Sequence, residues 1–255
     1  MRLHDKVAIV TGGDTGIGKA ISMLMAQEGA RVVIDYHGDA QPASELVGHI
    51  ENFGGRAYAV DGDISKAEDV DRLVAAAVKH FGQLDILVNN AGIEEPHPFL
   101  EMPFETWCKV IDIDLTGPWL CSQRAAKQMV RQKRGGRIIN ISSVHEELTM
   151  PSNAPYCAAK GGLRMLMRTI AVELAPHNIT VNDVCPGAID TRMDAEIKRD
   201  PKKYDELLDE IPLRRMGKPQ EVASMCVYLA SDEASYVTGA SFMIDGGMTK
   251  KSGRL

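Results

Sequence analysis

The chain has 255 residues, a mass of 27.8 kDa and, with 29 Lys+Arg against 35 Asp+Glu, a formal net charge of −6. Hydrophobic residues at 44% and charged residues at 25% match a globular average and exclude disordered, collagen-like and coiled-coil chains. The acidic balance, with no basic run longer than Arg131-Gln132-Lys133-Arg134, argues against nucleic acid or an anionic membrane surface as a partner.

The opening Met1–Lys6 carries no signal-peptide core and runs into a strand, Lys6–Val10, that ends at Thr11-Gly12-Gly13. The helix after it sets Ile17, Ile21, Leu24 and Met25 on one face. Further strands are expected at Arg31–Asp35, Ala57–Val60, Ile86–Asn89, Arg137–Ile141, Thr180–Val184 and Ser241–Ile244. Helices are expected near 43–53, 67–81, 104–132, 156–175 and 220–230. Several strands are almost wholly apolar, as in a parallel sheet covered on both faces. The alternation predicts one α/β domain over 1–255, a Rossmann-type doubly wound parallel sheet of about seven strands. The stretch 190–218, with short charged helices expected at Asp194–Lys198 and Lys203–Ile211, follows a strand's carboxyl end and reads as a candidate lid. Apolar stretches stop short of the ~18 residues of a membrane span. The five cysteines form no C-x-x-C pair, so reduced, mostly buried thiols in a cytoplasmic protein are expected, and no metal site.

Thr11-Gly12-Gly13-Asp14-Thr15-Gly16-Ile17-Gly18 joins the first strand to the first helix. Glycines permit positive φ and leave no Cβ between backbone and a pyrophosphate, and the helix start supplies free N–H donors. A glycine-rich turn alone also serves tight chain reversal, so the strand-then-helix context is what favours a dinucleotide.

Four more motifs follow in order: Asn89-Asn90-Ala91-Gly92, Ser142-Ser143, Tyr156-Cys157-Ala158-Ala159-Lys160, and Pro186-Gly187-Ala188-Ile189-Asp190-Thr191. Together with the glycine loop, the set resembles the short-chain dehydrogenase/reductase family over essentially the whole chain. Within it, Ser142–Glu147, Tyr156–Gly162, Asp232–Gly239, Ile93-Glu94-Glu95-Pro96 and the ending Asp245–Met248 look most like the bacterial glucose 1-dehydrogenases.

Tyr156 and Lys160 are four apart and share a helix face. A free tyrosine titrates near pH 10, too high for a base at neutrality; an adjacent ammonium favours the phenolate, and about three units of lowering corresponds to roughly 4 kcal/mol. Tyr156 is therefore expected to take the hydroxyl proton in oxidation and return it in reduction. The resemblance implies that Lys160 also binds the nicotinamide ribose and that Ser143, thirteen residues before Tyr156, holds the substrate oxygen. It puts a fourth catalytic position, an asparagine in the family, at Asp114. A carboxylate there only accepts hydrogen bonds, so the family's water relay is in doubt, and Asp114→Asn is expected to keep or increase activity.

The cofactor is expected to be NAD or NADP. Its contacts, by the resemblance, are Gly12, Thr15, Gly16, Ile17, Gly18, Asp35, Tyr36, His37, Asp63, Ile64, Asn90, Ala91, Gly92, Tyr156, Lys160, Pro186, Gly187, Ile189 and Thr191, with Asn89 also lining its middle. An acidic residue after the second strand suits the ribose hydroxyls of NAD, whereas arginine suits the 2′-phosphate of NADP; Asp35 and His37 lean to NAD. Polar Glu94, His145, Glu147 and Asn153 with Ser143 and Tyr156 suit a hydroxyl-rich substrate, a sugar such as glucose oxidised to its lactone. A ketoreductase of acyl thioesters or hydroxysteroids, and a non-catalytic nucleotide sensor, are the alternatives. Met165–Met167 read as core. The resemblance implies a homotetramer packed through 104–132 and 156–175.

Overall fold

The computed structural model describes residues 1–191 and 195–251. Seven strands, all parallel, form one sheet: β1 (Val7–Val10), β2 (Arg31–Tyr36), β3 (Arg56–Asp61), β4 (Ile86–Asn89), β5 (Gly136–Ile141), β6 (Ile179–Pro186) and β7 (Ser241–Ile244), ordered β3-β2-β1-β4-β5-β6-β7. Strand order reverses between β1 and β4, and in such sheets a ligand crevice opens at the carboxyl ends beside that point.

Alternation along β1 shows how the sheet feeds two cores. Ala8 and Val10 join the layer formed with α1 (Gly16–Gln27), α2 (Ala40–Asn52) and α9 (Pro219–Ala230); Val7 and Ile9 join the layer of α3 (Ala67–Phe81), α5 (Gly117–Gln132) and α6 (Ala154–Leu174). Fully buried Ile21, Met25, Leu46, Ile50 and Leu73 anchor the helices, each contributing about 1.5–3 kcal/mol of transfer free energy. Between α3 and α5 in the chain lies α4 (Phe104–Ile111), and between β6 and α9 lie α7 (Ala195–Arg199) and α8 (Pro201–Glu210).

Helix limits differ from the pattern for identifiable reasons. Asp39 starts α2 three residues early by accepting the Gln41 N–H, and Asp200 starts α8 by accepting from the Lys202 and Lys203 N–H groups. The expected helix 104–132 is interrupted by a single π turn, Asp112–Thr116. Pro118 has no N–H for the Asp114 carbonyl, so the ladder widens there before α5 resumes. Asp194, expected to open the first lid helix, lies outside the described residues. Met167 is core, but Met165 is 60% exposed, which corrects the reading of that methionine stretch. Cys121, Cys185 and Cys226 are buried; Cys108 and Cys157 are half-buried; all five are free thiols. Among the described residues no helix is long and apolar enough to cross a membrane.

Candidate active site

The glycine loop leaves β1 at the switch point. Gly12 and Gly16 take φ of +53° and +52°, a region costly for residues with a Cβ. Gly18 is required sterically, because a Cβ there would collide with the Gly12 carbonyl oxygen and lie 2.5 Å from Asn90 Nδ2. Asn90 clamps the loop by donating from Nδ2 to the Thr11 and Gly12 carbonyls, at 2.9 Å each. Thr11 Oγ1 in turn accepts the Asn90 and Ala91 N–H groups, tying the end of β4 to the loop. Thr15 makes no side-chain cap and the first turn of α1 carries no acid, so the helix's leading N–H groups are left for an anion. A Cβ at Gly16 would find only Thr191 Cγ2, at 3.9 Å. These features fit the pyrophosphate of a dinucleotide, with Thr191 alongside.

Asp35 is placed differently from the expectation. It is 2% exposed, and its Oδ2 accepts the Gly12 N–H at 3.1 Å, while Oδ1 is buried without a partner beneath Gly62. Burial, reinforced by Asp14, Asp61 and Asp63 and only partly offset by the Gly12 N–H, pushes its carboxyl up to about 8. Asp35 thus props the loop from below. The outer end of β2 is formed by Tyr36, half-buried, and His37, whose Nδ1 lies 4.0 Å from Asp61 Oδ1. Asp61, absent from the sequence-based set, is the exposed acid there. Asp63 spends Oδ1 on the Ser65 N–H and hydroxyl, and Oδ2 pairs with Lys66 at 3.2 Å. Burial works against its ionisation, but the Ser65 and Lys66 contacts outweigh it and hold the carboxyl below its usual range.

The reactive cluster forms where α6 passes the ends of β4 and β5. Lys160 is 4% exposed; its Nζ donates to the Ile141 carbonyl at 3.3 Å, pairs with Asp114 Oδ2 at 3.2 Å and lies 5.3 Å from the Tyr156 ring centroid. Asp114, fully buried on the π turn, uses Oδ1 to accept the Ile93 N–H at 2.9 Å. Ser143 hydrogen-bonds Tyr156, and the His145 ring stands edge-on to the phenol with centroids 6.3 Å apart. Tyr156, Lys160, Ser143, Asp114 and His145 are therefore brought together.

Electrostatics corrects the expected lowering of the phenol. Burial is the largest influence on Tyr156 and raises it; Lys160 and the Ser143 hydrogen bond pull down, but Glu94 and Asp114 push up, leaving a net rise. Burial opposes the Lys160 charge, yet Asp114, Tyr156 and Asp183 together hold its ammonium above the ordinary lysine value. His145 is held below the ordinary imidazole value by burial, partly countered by the Leu148 carbonyl and by Glu210.

Other expected contacts are placed less directly. Asn89 is 3% exposed and donates to Asn140 and Ser122, so it belongs to the core and does not line the crevice. Ile64, Pro186 and Ile189 are buried; Gly92 and Gly187 are half-buried, and a Cβ on Gly92 would lie 2.9 Å from Asp114 Oδ2. Asn153 is buried at the start of α6 with Oδ1 unpartnered, and Glu147 is exposed and paired to Arg164 at 3.0 Å. A ladder missed in the sequence crosses three strands at one register. Asn89 Nδ2 donates to Asn140 Oδ1 and Asn140 Nδ2 to Asp183 Oδ1, each at 2.8 Å. The signal was a polar residue, Asn89, Asn140 and Asp183, in each of three mainly apolar strands.

A glycine cradle at the switch point beside a phenol, an ammonium and a hydroxyl defines a nucleotide-linked oxidoreductase. The comparisons agree. A family model described as enoyl-(acyl carrier protein) reductase matches residues 12–249. The chain is 41% identical to glucose 1-dehydrogenase 2 of Bacillus subtilis, over 97% of this chain and 96% of that one. It is 44% identical to 3beta-hydroxysteroid dehydrogenase 1 of Eggerthella lenta, over 97% and 95%. The crystal structure of acetoin dehydrogenase from Enterobacter cloacae superposes with a TM-score of 0.89 at 41% identity, covering 98% of both chains. The chain belongs to the short-chain dehydrogenase/reductase family and is an NAD(P)-dependent oxidoreductase.

Proposed function

We propose that the protein oxidises an aldose, glucose or a close analogue, at its anomeric carbon to the lactone, with NAD as the preferred acceptor. The nicotinamide, when bound, accepts the hydride. Ser143 holds the substrate oxygen, Tyr156 takes the hydroxyl proton onto its phenolate oxygen and gives it back in reduction, and Lys160 orients and polarises the pair. The observation that carries the sugar reading is polarity around Tyr156. His145 stands edge-on to its ring, Glu94 acts on its ionisation and Asn153 keeps an unmet buried acceptor close by on the same helix. Desolvated sugar hydroxyls need such partners.

NAD is supported by Asp61 beside His37 and by the lack of an arginine at the end of β2, where a 2′-phosphate would meet negative charge. A lid role for the segment 190–218, of which 192–194 lie outside the described residues, is supported by its place in the chain after the carboxyl end of β6. A homotetramer packed through α5 and α6 is supported by exposed Trp119, Met165 and Val172 on those helices. The relatives named for hydroxysteroid and acetoin support a second reading, a reductase of less polar carbonyls. A panel of aldoses, acetoin and hydroxysteroids, run with NAD and NADP in parallel, separates them. Highest kcat/KM on glucose with NAD is expected, and turnover confined to steroid or acetoin overturns the sugar reading.

A further inference from the structure

Position 114 combines a departure from the family's amide with a geometry built for a carboxylate. Asp114 faces two donors, the Ile93 N–H at Oδ1 and the Lys160 ammonium at Oδ2, and both side chains of the ion pair are almost wholly out of solvent, at 0% and 5% exposed. An amide has one acceptor oxygen and one donating NH2. With its oxygen kept on Ile93, its NH2 would face the ammonium. The carboxylate therefore accepts the Ile93 N–H and pairs by charge with the ammonium, where asparagine meets only the first.

The consequence falls on Tyr156, whose ring centroid is 5.3 Å from the same Nζ. A lone buried ammonium would draw the phenol strongly toward its ionised form. An ammonium with a carboxylate 3.2 Å away presents a dipole, whose field falls off faster. We propose that Asp114 is a positioning residue that cancels the Lys160 charge as Tyr156 feels it, setting the site's proton-transfer limb at a more alkaline pH than an amide at position 114 would set.

All the groups facing the pair are consistent with this. From the loop after β4, Glu94 opposes the phenolate; from the loop after β5, Ser143 favours it; from α6, Lys160 favours it; and from the π turn, Asp114 opposes it. His145 stands edge-on. Lys160 additionally meets Asp183 from β6, while burial opposes its charge. The reaction's equilibrium constant is untouched, so what changes is the pH range of turnover and not its direction.

The inference rests on the reading of Tyr156 as the proton-transfer group, but its test does not need turnover. The tyrosinate absorbance of the full chain is titrated for the native protein, Asp114→Asn and Asp114→Ser, each with its Tyr156→Phe counterpart subtracted to isolate one of six tyrosines. Both variants at 114 are expected to lower the Tyr156 midpoint by about one unit, a roughly tenfold larger phenolate fraction at fixed pH. The rising limb of the oxidation rate should move to lower pH by the same amount. A midpoint that stays put or rises in the folded variants overturns the proposal. A chain that turns over no alcohol would instead sink the functional reading and leave this titration standing.

Discussion

Gly18 is where an added methyl group should do the most damage to the cofactor cradle. In Gly18→Ala the new Cβ meets the Gly12 carbonyl oxygen and sits 2.5 Å from Asn90 Nδ2, backbone on one side and a committed hydrogen-bond donor on the other. Overpacking of this kind costs about 1–3 kcal/mol, and displacing Asn90 from the Thr11 and Gly12 carbonyls removes two bonds of about 1 kcal/mol each. A total of about 3–5 kcal/mol lowers Tm by about 6–20 °C in a domain of this size. Gly38→Ala is the control. Its φ is +90° but no atom lies within 4 Å of the added Cβ, so only the backbone strain of about 1 kcal/mol applies. Thermal unfolding by circular dichroism and NADH binding by fluorescence read the two effects. Gly18→Ala should lose both stability and NADH affinity, Gly38→Ala little of either. A Gly18→Ala protein that melts with the control and binds NADH as the native chain does would refute the steric account.

Asp183 gives a pH prediction. Burial is the main reason its carboxyl is pushed up to about 8. An unfolded aspartate releases its proton near pH 4 while the buried one keeps it, so the unfolded state binds fewer protons and stability falls as pH rises from about 4 to about 8, then levels. Asp183→Asn keeps the acceptor for Asn140 and removes this loss. Its stability should match the native value near pH 4 and exceed it at pH 8 by the order of a few kcal/mol, with Tm raised accordingly. A residual slope from Asp35, also held at about 8, should remain. An unchanged Tm–pH curve in Asp183→Asn contradicts the assignment. At the other end of the cradle, His37→Arg adds a charged donor suited to a 2′-phosphate, and kcat/KM with NADP should rise about ten- to a hundredfold with NAD little changed. No gain with NADP would show that the adenosine ribose does not reach His37.

The strands, the glycine loop and the Tyr156–Lys160 pair were legible because each depends on local pattern: apolar runs, glycine spacing and a helical i, i+4 pair; Ser143 was legible only through the family resemblance. What was not legible depends on neighbours distant in sequence. Asp35 reads as a solvent-facing ribose ligand until the loop of β1 is seen folded over it. The break at Asp112–Thr116 was hidden because Pro118 at the start of a helix is ordinary, and only continuity with α4 makes its missing N–H a defect. Lowering of the Tyr156 phenol was argued from Lys160 alone. Burial together with Glu94 and Asp114, from two other segments, reverses the sign. The Asn89–Asn140–Asp183 ladder needs the register of three strands.

The most direct measurement of the central claim is nicotinamide-linked turnover of Tyr156→Phe at saturating substrate, beside its NADH affinity. General acid–base catalysis by the phenol contributes about 10²–10⁴-fold, so a loss of that size with NADH binding intact is the predicted result. A Tyr156→Phe protein that keeps most of its hydride-transfer rate would contradict the account.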